Sequence, residues 1–439
     1  MAFPATVSAT ASWSPDNVTS NAGPIGPFAD TGTRRFMILL DDTAFILRAI
    51  FSADSGATWA EVDNAGAPAV ASDSGSPDPA LYEYFAVVQD QTRKLYAVFW
   101  DTDFTISLKS FNMATSAWGA TIKSTLTYLS TSQPNSALTT FGAAYRLSDN
   151  SVWMMFASGI TALGTIPNRV SGARCDLTGA AWDLALTNLG TADNTDLHDW
   201  QVGGMTGPDA AGDLHLFFNS VSNADFIPAP PFINTLYHRV LRANNTLGTL
   251  DVVTFTTSLS ADLKIFNVSY PFLSSDDILS FTYMALDEGP AGFVRGVVRA
   301  AAAEAPAWDI TVPLSTNFQQ GFAGGFYSTL KLGGLDYVFY SYPDADGIHQ
   351  DFVYITSAGI GFGWSSPVFI DQFDFSGTAS IGSSVQSAPF TDDWAITMLL
   401  SPGAGTTDGQ GYFEGAAAPT APAINIVLGL KGMKVYPQQ

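Results

Sequence analysis

The 439-residue sequence predicts an all-β chain folded as a single β-propeller, with seven blades favoured and six as the alternative. Three observations carry that expectation. Tryptophans that follow small residues recur about every sixty positions. A group of short strand-like segments precedes each of them. The composition, with 39 glycines and 13% aromatic residues, favours strands and tight turns.

The recurrence runs through "GATW" (Trp59), "TSAW" (Trp118), "TGAAW" (Trp182), "APAW" (Trp308) and "GFGW" (Trp364), in steps of 59, 64, 126 and 56 residues. The long step is two steps of 63, and midway through it "NNTLGTL" (244–250) repeats the turn without its tryptophan. A fixed period of this kind marks a repeat architecture. "EYFAVVQD" (83–90), "KLYAVFWD" (94–101) and "FTISLKSF" (104–111) precede Trp118. "FGAAYRLSD", "SVWMMFAS" and "RVSGARCDL" precede Trp182, and "FYSTLKLGG", "LDYVFYSY" and "DFVYITSA" precede Trp364. Each is rich in β-branched and aromatic residues and bounded by Asp, Asn or Gly turns. The middle segment is the most apolar, as a strand covered on both faces should be. A seventh unit reads from "SVQSAPF" through "AINIVLGLKGMKVY".

The blades are expected over 24–65, 81–125, 140–188, 198–255, 265–315, 320–372 and 380–430, within a propeller spanning 1–423. An N-terminal strand over 8–14, with Trp13, is expected to close the ring. The segment 424–439 is expected to complete the last blade or to contact a neighbour.

With 18 basic and 40 acidic residues the net charge is −22, which disfavours nucleic acid and anionic membranes as partners. No run of eighteen apolar residues suggests insertion into a membrane. The single cysteine, Cys175, allows no intrachain disulfide and reads as a small core residue. The N-terminus shows no basic and apolar leader, so the expected location is a virion, or the outside of a cell after lysis. A homo-oligomer is left open.

"SADSGATW" supplies Ser52, Asp54, Gly56, Thr58 and Trp59 at the spacing S-x-D-x-G-x-T-W. This stretch resembles the Asp-box of the sialidase-like (BNR-repeat) propellers, while Gly179-x-x-Trp182 and Gly361-x-x-Trp364 keep only its Gly-to-Trp spacing. The resemblance implies a structural turn between the third and fourth strands of a blade, on the face opposite any catalytic site. The residues agree with it: an aspartate before a glycine accepts hydrogen bonds from its own turn, and glycine supplies positive φ. The tryptophan is expected to pack between blades.

A sialidase also needs three arginines around a substrate carboxylate, a Tyr–Glu nucleophile pair and an acidic acid/base. Here "TGTRRFMILLDD" keeps an arginine but lacks the Ile-Pro that the family places after it. Arg35 and Arg146 are expected near the axis, whereas Lys109, Arg174 and Arg299, lying 9, 8 and 9 residues before their tryptophans, read as one repeated solvated position. No catalytic residue is assigned. The four histidines, His198, His215, His238 and His349, lack metal spacing. No cofactor is expected, apart from Ca²⁺ as an option at Asp344, Asp346 and Asp351, where an ordinary Asp-Gly turn is the competing reading.

In a propeller the loops between second and third strands, and between blades, share one face. There the sequence sets aromatics beside carboxylates: Tyr82, Glu83 and Tyr84; Trp100, Asp101 and Asp103; His198, Asp199 and Trp200; Tyr342 and Asp344. Rings stack on sugars and carboxylates accept from hydroxyls, so these are candidate glycan ligands, against the alternative that the aromatics fill the ring's interior. "ADFIPAPPFIN", with Phe226, Ile227, Pro228, Pro230, Pro231 and Phe232, reads as a docking loop for a protein. The expected function is non-enzymatic: a recognition or structural propeller, above all a bacteriophage virion component that binds a glycan or another virion or surface protein. The alternatives are a sialidase-like glycoside hydrolase or polysaccharide-degrading enzyme, and an exported bacterial carbohydrate-binding protein.

Overall fold

The computed structural model describes residues 25–41, 45–54, 60–70, 85–102, 105–123, 141–158, 169–186, 189, 198–222, 235–253, 263–268, 271–274, 276–287, 292–315, 327–332, 334–343, 349–374, 378–381, 394–401, 409–415 and 425–428. These residues form seven antiparallel sheets, each built from strands consecutive in sequence. Blade 1 holds β1 (Ile25–Ala29), β2 (Arg35–Asp41), β3 (Ile46–Ser52) and β4 (Ala60–Glu61). Blade 2 holds β5 (Phe85–Gln89), β6 (Lys94–Trp100), β7 (Ile106–Asn112) and β8 (Ala117–Lys123). Blade 3 holds β9 (Phe141–Arg146), β10 (Ser151–Ser158), β11 (Arg169–Asp176) and β12 (Ala181–Leu186). Blade 4 holds β13 (His198–Thr206), β14 (Leu214–Ser222), β15 (Thr235–Leu241) and β16 (Leu247–Val252). Blade 5 holds β17 (Leu263–Val268), the short β18 (Phe272–Leu273), β19 (Ile278–Asp287), β20 (Gly292–Ala301) and β21 (Asp309–Ser315). Blade 6 holds β22 (Tyr327–Leu332), β23 (Leu335–Pro343), β24 (His349–Ser357) and β25 (Val368–Asp374). Blade 7 holds β26 (Thr378–Ile381), β27 (Trp394–Ser401), β28 (Gly409–Gly415) and β29 (Asn425–Leu428). The fold is an all-β propeller, and seven sheets answer the choice between six and seven.

The sheets follow one another round a ring. β5 meets β1 and β9, β13 meets β9, and β22 meets β19 and β27. β27 in turn lies against β1, so the last blade returns to the first. Blades 4 and 5 join through a cluster in which Phe217 and Leu236 pack with Leu279, Phe281 and Val298. β29 pairs with β28, so a C-terminal segment supplies the outer strand of blade 7. The strand expected over 8–14 lies outside the described residues.

The second strand of each blade lies between its sheet neighbours and against the adjoining blades, which explains its apolar bias. β6 is buried from Leu95 to Trp100. The outer strand β8, by contrast, is exposed at most positions. Its partly buried Trp118 and Ile122 pack against the core.

The repeated tryptophans of blades 2, 3, 5 and 6 each join their blade to the one before it. Trp118 Nε1 of blade 2 donates to Asn64 Oδ1 beside blade 1, at 3.2 Å. Trp182 Nε1 donates to the Ile122 carbonyl of blade 2 at 3.0 Å, and Trp308 Nε1 to Asp251 Oδ2 of blade 4 at 3.1 Å. Trp364 of blade 6 takes the Arg299 guanidinium of blade 5 over its ring, at 4.5 Å. An indole suits this task because it buries a large apolar surface and keeps one donor for a fixed acceptor.

Candidate functional site

The turns joining first to second and third to fourth strands share one end of the ring, the turn face. Their chemistry recurs from blade to blade. Asp176 Oδ1 accepts from the Thr178 amide at 2.8 Å, Asn112 Oδ1 from the Ala114 amide at 2.9 Å, and Asn244 Oδ1 from the Thr246 amide at 3.1 Å. In the best-preserved copy the Ser52 hydroxyl donates to Asp54 Oδ1 at 2.8 Å and accepts from the Asp54 amide at 3.3 Å. Gly56, Thr58 and Trp59 lie outside the described residues. The left-handed position of the third turn is filled by Ser116 (φ 53°) in blade 2, Ala180 (φ 48°) in blade 3 and Asn245 (φ 67°) in blade 4. Glycine was expected to supply it, and blade 6 does use Gly361 (φ 79°).

This face is also where the arginines are engaged, one blade to the next. Arg93 of blade 2 holds the buried Asp30 of blade 1 through Nε and Nη2. Arg34 Nη2 donates to the Met113 carbonyl of blade 2 at 2.9 Å. Arg242 of blade 4 binds Glu304 of blade 5 at 2.7 Å, and together with donors from Thr249 it holds that carboxyl at about 2. Arg146 pairs with Asp149 and reaches Asn245 and the Arg242 carbonyl of blade 4. Burial pushes the Asp149 carboxyl up, but Arg146, the Ser151 hydroxyl and Arg174 outweigh it and hold it below the ordinary range.

Two expectations are corrected here. Arg35 and Arg146, expected near the axis, are engaged by protein groups on the turn face. Arg35 Nη1 donates to the carbonyls of Gly32 and Arg34, and Arg146 ends β9 on the turn face. Arg299, one of the three cations read as a repeated solvated position, is not solvated. Arg299 is 1% exposed and binds Asp336 at 2.8 Å, Ser357 at 2.9 Å and Asp309 at 2.9 Å, linking blades 5 and 6. Arg174, at the matching place in blade 3, is only partly buried and pairs within its own blade with Asp183 and Asp149, so the shared spacing does not carry a shared environment.

The opposite end, the loop face, holds the expected glycan ligands. Trp100 is 1% exposed, its ring edge-on to Phe156 at 5.8 Å. It fills the seam between blades 2 and 3, so the core alternative holds for it. Asp101 accepts from the Thr102 amide at 2.7 Å and pairs with Lys123 at 3.0 Å. Burial draws the Lys109 ammonium down, with Asp101 opposing that pull. His198, Asp199 and Trp200 open β13, in register with Ser222, Val221 and Ser220. Tyr342 ends β23 and is the cross-strand partner of Asp351. Tyr82, Glu83, Tyr84, Asp103, Asp344 and Asp346 lie outside the described residues, as do Phe226, Ile227, Pro228, Pro230, Pro231 and Phe232. Among the described residues no cluster of three His, Cys, Asp or Glu side chains could hold a metal.

Register gathers residues that the sequence leaves scattered. Tyr342 pairs with Asp351, and Asp351 with Gln372; one step outward His349 pairs with Asp374. One step inward Tyr340 pairs with Tyr327 and Val353. Cross-strand partners share a face and so do residues two apart, so all of these lie on one face of blade 6. Asp336 and Ser357, which bind Arg299, share that face, so it is the face turned to blade 5. On blade 5 the facing rows are Arg299 with Ser280, Val297 with Thr282, Arg295 with Met284 and Phe293 with Leu286, while Lys264 pairs with Leu286. Tyr340, His349, Asp374, Arg295 and Lys264 escape a reading by local motif; only the period of two, anchored by the strand pairing, finds them.

A buried polar chain lies apart from this end. His215 Nε2 meets Asp209 Oδ2 at 3.2 Å, and His215 Nδ1 meets His238 Nε2 at 2.9 Å. The carboxylate fixes the tautomers: His215 donates to Asp209, so His238 donates to His215. His238 Nδ1 is then a buried acceptor with no partner among the described residues. Burial, then the neighbouring His215, holds His238 at about 3, so it is neutral. Cys175 is buried, and burial pushes its thiol up to about 12, as a core residue's would be.

No family model matches the chain, and no curated sequence matches it. Solved structures do. A PL25 ulvan lyase, bound to a -[GlcA(1-4)Rha3S]- saccharide, aligns over 97% of each chain with a TM-score of 0.58 at 8% identity. A Hadza microbial sialidase aligns over 74% of this chain and 64% of its own, with a TM-score of 0.46 at 12% identity. The NanB sialidase of Streptococcus pneumoniae aligns over 87% of this chain and 83% of its own, with a TM-score of 0.44 at 8% identity. The shared property is the fold. At these identities no residue role passes from one chain to another.

Proposed function

We propose that this propeller recognises and cleaves a polysaccharide on its loop face. The observation that carries the reading is the match to a polysaccharide lyase along the full length of both chains, one propeller against another. Two features of the chain support it. The turn face is filled by interblade links, which leaves the loop face to carry function. That end also gathers Tyr342, Asp351 and their register neighbours on a single sheet face. Sialidase chemistry is the weaker form of the reading, because Arg35 and Arg146 are tied into the turn face.

Recognition without cleavage is the second reading, favoured by the engagement of Asp101 with Lys123, Thr102 and Ser107. It includes a place on a virion or cell surface. The test is incubation with xylan, alginate, chondroitin sulfate and a sulfated glucuronate–rhamnose polysaccharide. Reducing ends, the ultraviolet absorbance of unsaturated uronates and gel retardation are followed together. New chain ends from at least one polymer are expected. Retardation without new ends replaces cleavage by recognition, and the absence of both overturns the proposal.

A further inference from the structure

We propose that the seam between blades 4 and 5 is an acid-sensitive latch: the ring opens there, before its other seams, when the buried His215–His238 pair takes up a proton. The inference stands apart from the polysaccharide reading. Both histidines are buried. His238 is the cross-strand partner of Phe217, and His215 lies two residues before Phe217, so all three share the sheet face turned to blade 5. The His238 ring meets Phe217 at 5.0 Å and Trp308 of blade 5 edge-on at 5.3 Å, while Phe217 meets Phe281 of blade 5 at 5.0 Å. The two imidazoles lie within 14° of one plane, joined at 2.9 Å. Asp209 takes the Nε2–H of His215, so the free site for a further proton is His238 Nδ1. The carboxylates of the elements packed here already hold donors. Asp251, opposite His238, accepts from Trp308 Nε1, and Asp213 accepts from the Ala243 amide. Asp277 accepts from the Ala210 amide, and Glu304 pairs with Arg242. Arg239 reaches the other way, to the Leu189 carbonyl at 2.8 Å. Among the described residues no group meets His238 Nδ1.

A proton placed on that atom in the closed seam makes a buried cation whose new N–H has no acceptor, among aromatic rings and beside a second imidazole. In an open seam the same imidazole meets water and titrates as an ordinary histidine. Burial, then the neighbouring His215, holds the closed value at about 3, against the ordinary 6.5. Opening therefore gains a proton that the closed seam refuses. The open population rises by up to about tenfold for each unit by which pH falls between those values. The other seams respond later. Arg93 with Asp30 and Arg299 with Asp336 keep their charges down to about pH 4, and between there and 6.5 histidine is the side chain that changes charge. Parting one seam is a local event that leaves the sheets themselves paired.

The test places a thiol in the seam by Val298→Cys and compares its labelling rate with that of Cys175. Val298 packs with Phe217 and Leu236, whereas Cys175 is buried in the core shared by blades 1 to 3. A pyridyl disulfide that reacts in acid labels both thiols in one sample, so the ratio of their rates cancels the pH dependence of the chemistry. From about pH 7.5 to about pH 5 the ratio is expected to rise at least tenfold, and to stay level when His238→Gln is added. A level ratio without that second change means that both thiols are reached by one global unfolding, and overturns the latch. A rise that persists in folded protein carrying His238→Gln assigns the opening to other groups and overturns it equally. Radical footprinting of the unsubstituted chain reads the same event. Oxidation of Phe217, Phe281 and Trp308 should increase in acid relative to Trp100 and Phe156, which fill the seam between blades 2 and 3; a uniform change in all five would count against the latch.

Discussion

A guanidinium out of water needs its charge met, and Arg299 meets Asp336 and Asp309 while lying over the Trp364 ring. Removing one partner of such a buried set leaves the others uncompensated, at a typical cost of about 3–5 kcal/mol. Arg299→Met should therefore shift the urea midpoint of unfolding strongly downward. Arg299→Met with Asp336→Leu should recover part of that loss, because the stranded carboxylate is gone; equal loss in both variants would refute the clamp. His238 makes the converse prediction, since it is buried uncharged. Its folded value of about 3 lies below the 6.5 of an ordinary histidine, so the unfolded chain takes up the proton first. The stability linked to this group is complete above 6.5 and drains as pH falls toward 3, by up to about 1.4 kcal/mol per pH unit. Urea titrations between those limits should show the slope, and His238→Gln should flatten it.

The third turn of a blade sets the outer strand and its tryptophan, and its backbone demands a left-handed residue. Alanine in that region strains against its own Cβ, by roughly 1–2 kcal/mol before glycine's greater chain entropy is counted. Ala180→Gly should then raise stability by a net amount of about 0.5–1 kcal/mol in thermal unfolding. A fall would show that the left-handed turn does not form. In blade 1 the Ser52–Asp54 pair does related work. Asp54→Ala should cost about 1 kcal/mol and leave polysaccharide binding by the folded fraction intact; lost binding at an unchanged melting temperature would place function on the turn face. The blades were legible at this scale because turn chemistry and the tryptophan step are local in sequence. The pairing of Tyr342 with Asp351 was not legible, because the two lie on separate strands and only the register joins them. Trp100 misled for a related reason: an aromatic beside carboxylates looks the same in sequence whether it faces a sugar or the next blade.

At the scale of the whole molecule, the ring explains how a chain with one cysteine holds seven separate sheets. Among the described residues blades 1 to 6 each contribute a tryptophan or an arginine to a neighbour, and the contact of β27 with β1 returns blade 7 to blade 1. The same scale decides what the protein's field does to a ligand. A net charge of −22 repels an anionic polymer over distances beyond any one contact, and salt screens that repulsion with a Debye length of about 10 Å at 0.1 M. Binding of an anionic polysaccharide should therefore strengthen as salt rises from about 0.05 to 0.5 M, opposite to the trend for a basic protein. Binding of neutral xylan should hardly change over that range. Gel retardation at stepped salt separates the two. An anionic polymer whose binding weakens with salt would mean that basic residues at its binding surface outweigh the acidic excess of the rest of the chain.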